Sequence, residues 1–244
     1  ASSLRTHITA TNPILECELP LDGSRFEALI PPIVSGPTFT IRKKASIVFT
    51  LANYVATGIM TEAQCAAIKL AVRERRNILV VGGTGTGKTT LTNAIIAEID
   101  AVTPDHRIVI IEDTRELQCS SPNVVPLRAV DHVDMTRLLK ATMRLRPDRI
   151  LVGEARDGSA LALLKAWNTG HPGGAATVHA NSALAGLIRM EQLVAEATAA
   201  PMQALIAEAV DLIIAIEKTA TGRRIKEVVT VSGHDGTNYI TQPI

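Results

Sequence analysis

The segment Gly82-Gly83-Thr84-Gly85-Thr86-Gly87-Lys88-Thr89-Thr90 constrains the fold of this chain more than any other. An apolar run, Asn77-Ile78-Leu79-Val80-Val81, leads into it, and the helix-compatible Leu91-Thr92-Asn93-Ala94-Ile95-Ile96-Ala97 leads out. A strand that gives way to a glycine-rich turn and then to a helix opening on Lys-Thr is the setting of a Walker A phosphate cradle. The glycines let the backbone curl until successive N–H groups point inward at phosphate oxygens. The start of the helix adds partial positive charge. Lys88 is placed to reach the β- and γ-phosphates, and the Thr89 hydroxyl to coordinate Mg²⁺. Gly83, Thr84, Gly85, Thr86, Gly87, Lys88, Thr89 and Thr90 are therefore the expected nucleotide-binding residues, with a nucleoside triphosphate and Mg²⁺ as ligands.

From Asn77 onward apolar runs alternate with helical segments. Strands are expected over 77–81, 107–111, 149–152, 175–178, 212–216 and 226–231, and helices over 88–99, 134–145, 158–168, 183–198 and 202–209. Ser182 would cap the fourth of these helices, and Pro201 suits the first turn of the fifth. Such alternation predicts an α/β domain with a mostly parallel sheet and the nucleotide at the carboxyl ends of its strands. Upstream, Thr61 and Gln64 have the spacing of a capping box for a helix running through Ala71 to the basic Arg73-Glu74-Arg75-Arg76. Residues 1–52 differ. Ile14 to Pro20 and Arg25 to Ile30 flank Leu21-Asp22-Gly23-Ser24, a hairpin signal, and Thr38 to Lys44 reads as one more strand. We therefore expect a partial, β-rich N-terminal domain over 1–52, a linker over 53–60 and the P-loop domain over 61–244.

Composition narrows the function. Net charge is +1 and aromatic residues make up 2%, which leaves neither a basic footprint nor a stacking platform, so direct nucleic-acid binding is not expected. No apolar run approaches the ~18 residues of a membrane span, and no secretory signal opens the chain, so a cytoplasmic location is expected. Cys17, Cys65 and Cys119 are odd in number and far apart, which argues for reduced thiols rather than a disulfide or zinc framework.

Two further strand ends carry acid. Ile110-Ile111-Glu112-Asp113-Thr114-Arg115-Glu116 and Ile150-Leu151-Val152-Gly153-Glu154-Ala155-Arg156-Asp157 each finish an apolar run with carboxylates. In a parallel sheet these ends converge near the γ-phosphate, where hydrolysis needs one carboxylate to activate water and oxygen ligands for the metal. Thr89, Glu112 and Glu154 are the candidate metal ligands. Either Glu112 or Glu154 could serve the water; Glu154 is favoured. A third strand end follows Ala175-Ala176-Thr177-Val178 at His179, while His171 precedes that run.

Taken together, the Walker A residues at 82–89, the Glu112-to-Glu116 box, the Walker B strand ending in Gly153-Glu154 without the usual aspartate, and the Thr169-to-Asn181 histidine box resemble the secretion traffic ATPase family. Arg144-Leu145-Arg146-Pro147-Asp148-Arg149 and Ala166-Trp167-Asn168-Thr169-Gly170-His171-Pro172-Gly173 are most similar to its conjugation and type IV secretion branch. The resemblance implies a RecA-like P-loop core and an ATP-hydrolysing, Mg²⁺-dependent motor. It also implies a ring of six held peripherally at the cytoplasmic face of the inner membrane, through other ATPases and membrane components of a secretion channel. It places His179 near the γ-phosphate and makes Arg42 an N-terminal arginine that closes over the nucleotide. Arg128, Arg137 and Arg144 are candidate arginine fingers, Arg144 preferred. Alternatives are a type II secretion or type IV pilus motor, or a nucleic-acid translocase on the same core. The scattered cysteines lack the four-cysteine metal site usual in the pilus-extension and type II branch, and no motif characteristic of pilus retraction follows Ala209.

Overall fold

The computed structural model describes residues 7–20, 22–43, 47–130 and 132–244, so Leu21 of the hairpin signal and Lys44 of the third expected strand lie outside the described residues. The chain divides into two units, residues up to 47 with 114–116, and Val48–Asp113 with Leu117–Ile244. In the smaller unit, β1 (Ile14–Glu18), β2 (Arg25–Leu29) and β3 (Thr38–Arg42) form an antiparallel sheet in that order. The turn between β1 and β2 is closed by the Asp22 carboxylate, which accepts from the Ser24 N–H at 2.9 Å. Phe26 and Phe39 stack across β2 and β3 with ring centroids 5.9 Å apart.

The larger unit opens with α1 (Leu51–Ala56) and α2 (Glu62–Arg73) and continues through β4 (Ile78–Gly82), α3 (Lys88–Val102), β5 (Ile108–Glu112) and β6 (Val124–Arg128). Then come α4 (Met135–Thr142), β7 (Arg149–Val152), α5 (Ser159–Asn168), β8 (Ala175–His179), α6 (Ala183–Ala195) and α7 (Gln203–Ala209). β9 (Leu212–Thr219), β10 (Gly222–His234) and β11 (Tyr239–Pro243) end it. Its sheet has the order β11-β10-β9-β4-β8-β7-β5-β6. β9, β4, β8, β7, β5 and β6 run parallel, and β10 and β11 add an antiparallel edge.

Parallel strands buried on both faces explain the unbroken apolar runs of the sequence. Alternate residues feed two cores. Leu79, Val81, Val109, Ile111, Ile150 and Val152 face one layer with Leu163, Leu187 and Ile206 from α5, α6 and α7. Ile78, Val80, Ile108, Ile110 and Leu151 face the other with Ile68 and Ile95 from α2 and α3. At about 1.5–3 kcal/mol for each fully buried Leu, Ile or Val side chain, these two layers supply most of the favourable folding free energy.

The Thr61 capping box forms, with the Thr61 Oγ1 accepting from the Gln64 N–H at 3.2 Å and the Gln64 Oε1 accepting from the Thr61 N–H at 3.0 Å. Ser182 caps α6 as expected. Four expectations are corrected. Part of the stretch read as a linker is helical, because Thr50 and Asn53 build a second capping box that starts α1. Pro201 lies just before the α7 cap rather than in its first turn, since Met202 is the N-cap residue. The helix expected over 134–145 stops at Thr142, before Arg146 turns to φ 53° ahead of Pro147. Finally, β6 was not expected. It carries Pro126 and is only partly buried, which the edge of the sheet permits.

At the amino ends of the strands a guanidinium is sealed inside. Arg149 is 0% exposed; it donates from Nη1 to the Gly173 carbonyl at 2.9 Å, from Nη2 to the Val72 carbonyl at 3.1 Å and from Nε to His106 Nδ1 at 3.3 Å. Burial pulls its pKa down to about 10. His106 must be neutral to accept from Arg149, and burial followed by the Arg149 charge holds its pKa below the ordinary value of 6.5. A lowered native pKa means that the unfolded chain binds the proton first as pH falls, so stability is lost progressively below about pH 6.5 and is intact above it. Thermal melts at pH 7 and pH 5 should show a drop that is smaller in His106→Asn, whose side-chain carbonyl keeps the acceptor and removes the titration. An equal drop in both proteins would assign the acid sensitivity to other groups.

Candidate nucleotide-binding and hydrolysis site

The loop between β4 and α3 closes around the ammonium of Lys88. Lys88 Nζ donates to the carbonyls of Gly82 at 2.9 Å and Gly83 at 3.1 Å, and the side chain is 8% exposed. Thr86 Oγ1 ties the loop by donating to the Gly83 carbonyl at 2.9 Å. Gly87 takes φ 100°, a left-handed value open to glycine, and this lets α3 start abruptly with no side-chain cap and no acid in its first turn. The backbone N–H groups of that first turn and the helix dipole make the loop a receptor for an anion.

Sheet register assembles the rest. β8 lies beside β4 with His179 paired to Gly82, so the strand pairing itself sets the imidazole against the loop. His179 Nδ1 is 3.3 Å from Lys88 Nζ, and its Nε2 is 2.7 Å from Glu154 Oε1. Glu154 lies two residues past the end of β7, the neighbour of β8. Its other oxygen, Oε2, accepts from Arg156 Nε at 2.8 Å and Nη2 at 2.6 Å, and Arg156 Nη1 reaches Asp113, just past the end of β5. Four neighbouring strand ends thus carry, in sheet order, an ammonium, an imidazole, a carboxylate with its guanidinium, and a second carboxylate.

The protonation of His179 follows from its neighbours. Burial and then the Lys88 ammonium hold its pKa below 6.5, against the opposing pull of Glu154. A neutral ring satisfies both contacts at once: Nδ1 accepts from Lys88 and Nε2–H donates to Glu154. Glu154 is thereby gripped on one side by His179 and on the other by Arg156, which fixes the carboxylate plane.

Glu112 is 4% exposed and its Oε1 accepts from the Leu117 N–H at 2.8 Å. Its Cγ would stand 2.9 Å from a Cβ on residue 153, so Gly153 is what allows this carboxylate to lie against the end of β7. Thr89 occupies the first turn of α3. The oxygen donors of Thr89, Glu112 and Glu154 are hard ligands of the kind Mg²⁺ prefers.

The remaining candidates fall elsewhere. Arg42 ends β3 in the smaller unit, where its Nη2 is 3.0 Å from Glu116 Oε2. His171 precedes β8 and so lies at the strand end opposite His179. Arg144 follows α4 next to Leu145, whose carbonyl accepts from Arg107 just before β5; this chain therefore holds Arg144 at the amino edge of the sheet, away from the loop. Arg128 ends β6 in register with Glu112 and donates from Nε to the Asp113 carbonyl at 3.2 Å, at the carboxyl edge. Arg137 is an exposed residue of α4. Sequence reasoning passed over Arg156, although a base two residues after the Glu154 acid was a local signal. It also passed over Arg223 of β10, which no nearby pattern marks.

The chain matches the family described as Type II/IV secretion system protein over residues 2–223. The conjugal transfer protein TrbB of Rhizobium radiobacter is 57% identical over 242 residues, covering 99% of this chain and 75% of that protein. The type IV secretion system protein VirB11 of Bartonella henselae is 32% identical over 275 residues, covering 93% of this chain and 76% of its own length. The crystal structure of the VirB11 ATPase from the Brucella suis type IV secretion system, in complex with sulphate, superposes with a TM-score of 0.63 at 29% identity, covering 92% of this chain and 75% of that one. No helix among the described residues is long and apolar enough to cross a membrane. A glycine-rich loop at the carboxyl edge of a parallel sheet, with Lys88, His179 and Glu154 converging on it, thus occurs in a chain that belongs to the type II/IV secretion system protein family, a family of secretion ATPases.

Proposed function

We propose that this chain hydrolyses ATP with Mg²⁺ and, as a ring of six, powers conjugative transfer or type IV secretion, or the assembly of the associated pilus. The reading rests chiefly on one observation: His179 bridges the Lys88 ammonium and the Glu154 carboxylate at the mouth of the glycine-rich loop. The loop N–H groups and Lys88 hold the β- and γ-phosphates and offset the charge that accumulates as the γ-phosphoryl group departs. Glu154, held flat between His179 and Arg156, orients a water for in-line attack at the γ-phosphorus and accepts its proton as ADP leaves. His179 holds the Glu154 carboxylate in place, and its contact with Lys88 reports whether the γ-phosphate is present. Mg²⁺, held by Thr89 with Glu112 or Glu154, would neutralise polyphosphate charge. Arg128, at the carboxyl edge in register with Glu112, is the arginine offered to a neighbouring subunit in the ring. At the membrane the motor works from the cytoplasmic side through partner proteins.

Mass photometry with and without Mg·ATP, paired with steady-state turnover, tests this. Particles of six chains are expected, with turnover rising as they form. A monomer that hydrolyses ATP at the full rate would remove the ring from the mechanism, and a protein with no turnover in any assembly state would end the ATPase reading.

A further inference from the structure

The β9–β10 hairpin runs on past the end of β4. β9 pairs with β4 as far as Ala215 opposite Val81 and then continues to Thr219, and β10 returns from Gly222. The return brings Arg223 back onto the glycine-rich loop. Its Nη2 lies 3.4 Å from the Gly85 carbonyl, and a Cβ on residue 87 would meet its Cδ and Nε at 3.2 Å. The next residue, Arg224, is committed to Glu217 on β9, whereas no carboxylate among the described residues forms an ion pair with Arg223.

This placement gathers like charge on one loop. The Arg223 guanidinium, carried by β10, stands beside the positive end of α3, whose first turn holds no acid, and faces the same loop as the Lys88 ammonium. Like charge gathered at a helix N-terminus is unfavourable until an anion arrives, and favourable once it does. Lys88 addresses the loop from its Gly82–Gly83 side, next to His179 and Glu154; Arg223 addresses it from Gly85 and Gly87. We infer that Arg223 is a substrate-binding residue that grips the portion of the polyphosphate common to ATP and ADP, while Lys88 and Glu154 serve the terminal phosphate. The inference rests on the nucleotide reading above and adds a residue to it.

The test measures binding of fluorescent N-methylanthraniloyl ATP and ADP, with Mg²⁺, to wild type, Arg223→Ala, Arg223→Lys and Arg224→Ala, together with kcat, KM and melting temperature. Arg223→Ala should weaken ATP and ADP alike by about tenfold, the low end for a charge-assisted hydrogen bond, with KM raised more than kcat is lowered. Arg223→Lys should fall between, and Arg224→Ala should bind as wild type. Unchanged affinity in Arg223→Ala, a loss confined to ATP, or an equal loss in Arg224→Ala with a lowered melting temperature would each overturn the inference while leaving the nucleotide reading intact. Failure of the wild type to bind either nucleotide would instead overturn that reading, and this one with it.

Discussion

Lys88→Ala is expected to lower kcat/KM for ATP by about 10²- to 10³-fold, the range observed when one preorganised donor to transition-state charge is deleted. The ammonium is nearly buried, and its reach is set by the carbonyls of Gly82 and Gly83, so it needs little reorganisation when phosphate binds. Removing it also frees those two carbonyls and leaves His179 Nδ1 without its donor. Part of the loss should therefore appear in ATP affinity and part in kcat. A circular dichroism melt separates this from misfolding, because the cores above and below β4 do not include the Lys88 side chain. Turnover within a few-fold of wild type would mean that Lys88 does not meet the phosphates.

Glu154→Gln separates binding from chemistry. The amide keeps the size of the side chain and can still accept from Arg156, but it cannot take a proton from water. Turnover should fall by about 10²- to 10⁴-fold, the usual contribution of a general base, while ATP affinity stays close to that of the wild type. Single-turnover chemistry and equilibrium binding measured on one preparation would show the split. If Glu154→Gln turns over undiminished, the water belongs to another carboxylate, and Glu112, on the adjoining strand β5, is the next to examine. If affinity falls as far as turnover, the lost contact is one made to bound ATP rather than to its transition state.

Much of the larger unit could be read directly from residue order. Apolar runs without polar alternation announced β4, β5 and β7, because strands covered on both faces have no polar side to show. The Thr61–Gln64 pair announced α2 through a hydrogen-bond pattern confined to four residues. What escaped notice was set by long-range pairing. β6 has weak strand character of its own and exists because β5 offers it an edge. Arg223 lies 136 positions after Gly87 and reaches it only through the register of β9 with β4 and β10 with β9. Arg144 illustrates the reverse case. Its motif was conspicuous, yet α4 leads from the carboxyl end of β6 back to the amino end of β7 and leaves Arg144 at the amino edge of the sheet. Local chemistry marks which residues can act; only the assembled sheet decides which of them meet.

The sealed guanidinium of Arg149 carries a mechanical consequence. Its three acceptors come from the end of α2, from the approach to β5 and from the approach to β8, segments far apart along the chain. Peeling any of the three away leaves part of a buried charge without its acceptor, which couples these segments at the amino edge of the sheet. Flexing during a work cycle is thereby displaced toward the opposite rim, where polar side chains can exchange partners without exposing a core, and the riveted end serves as the anvil.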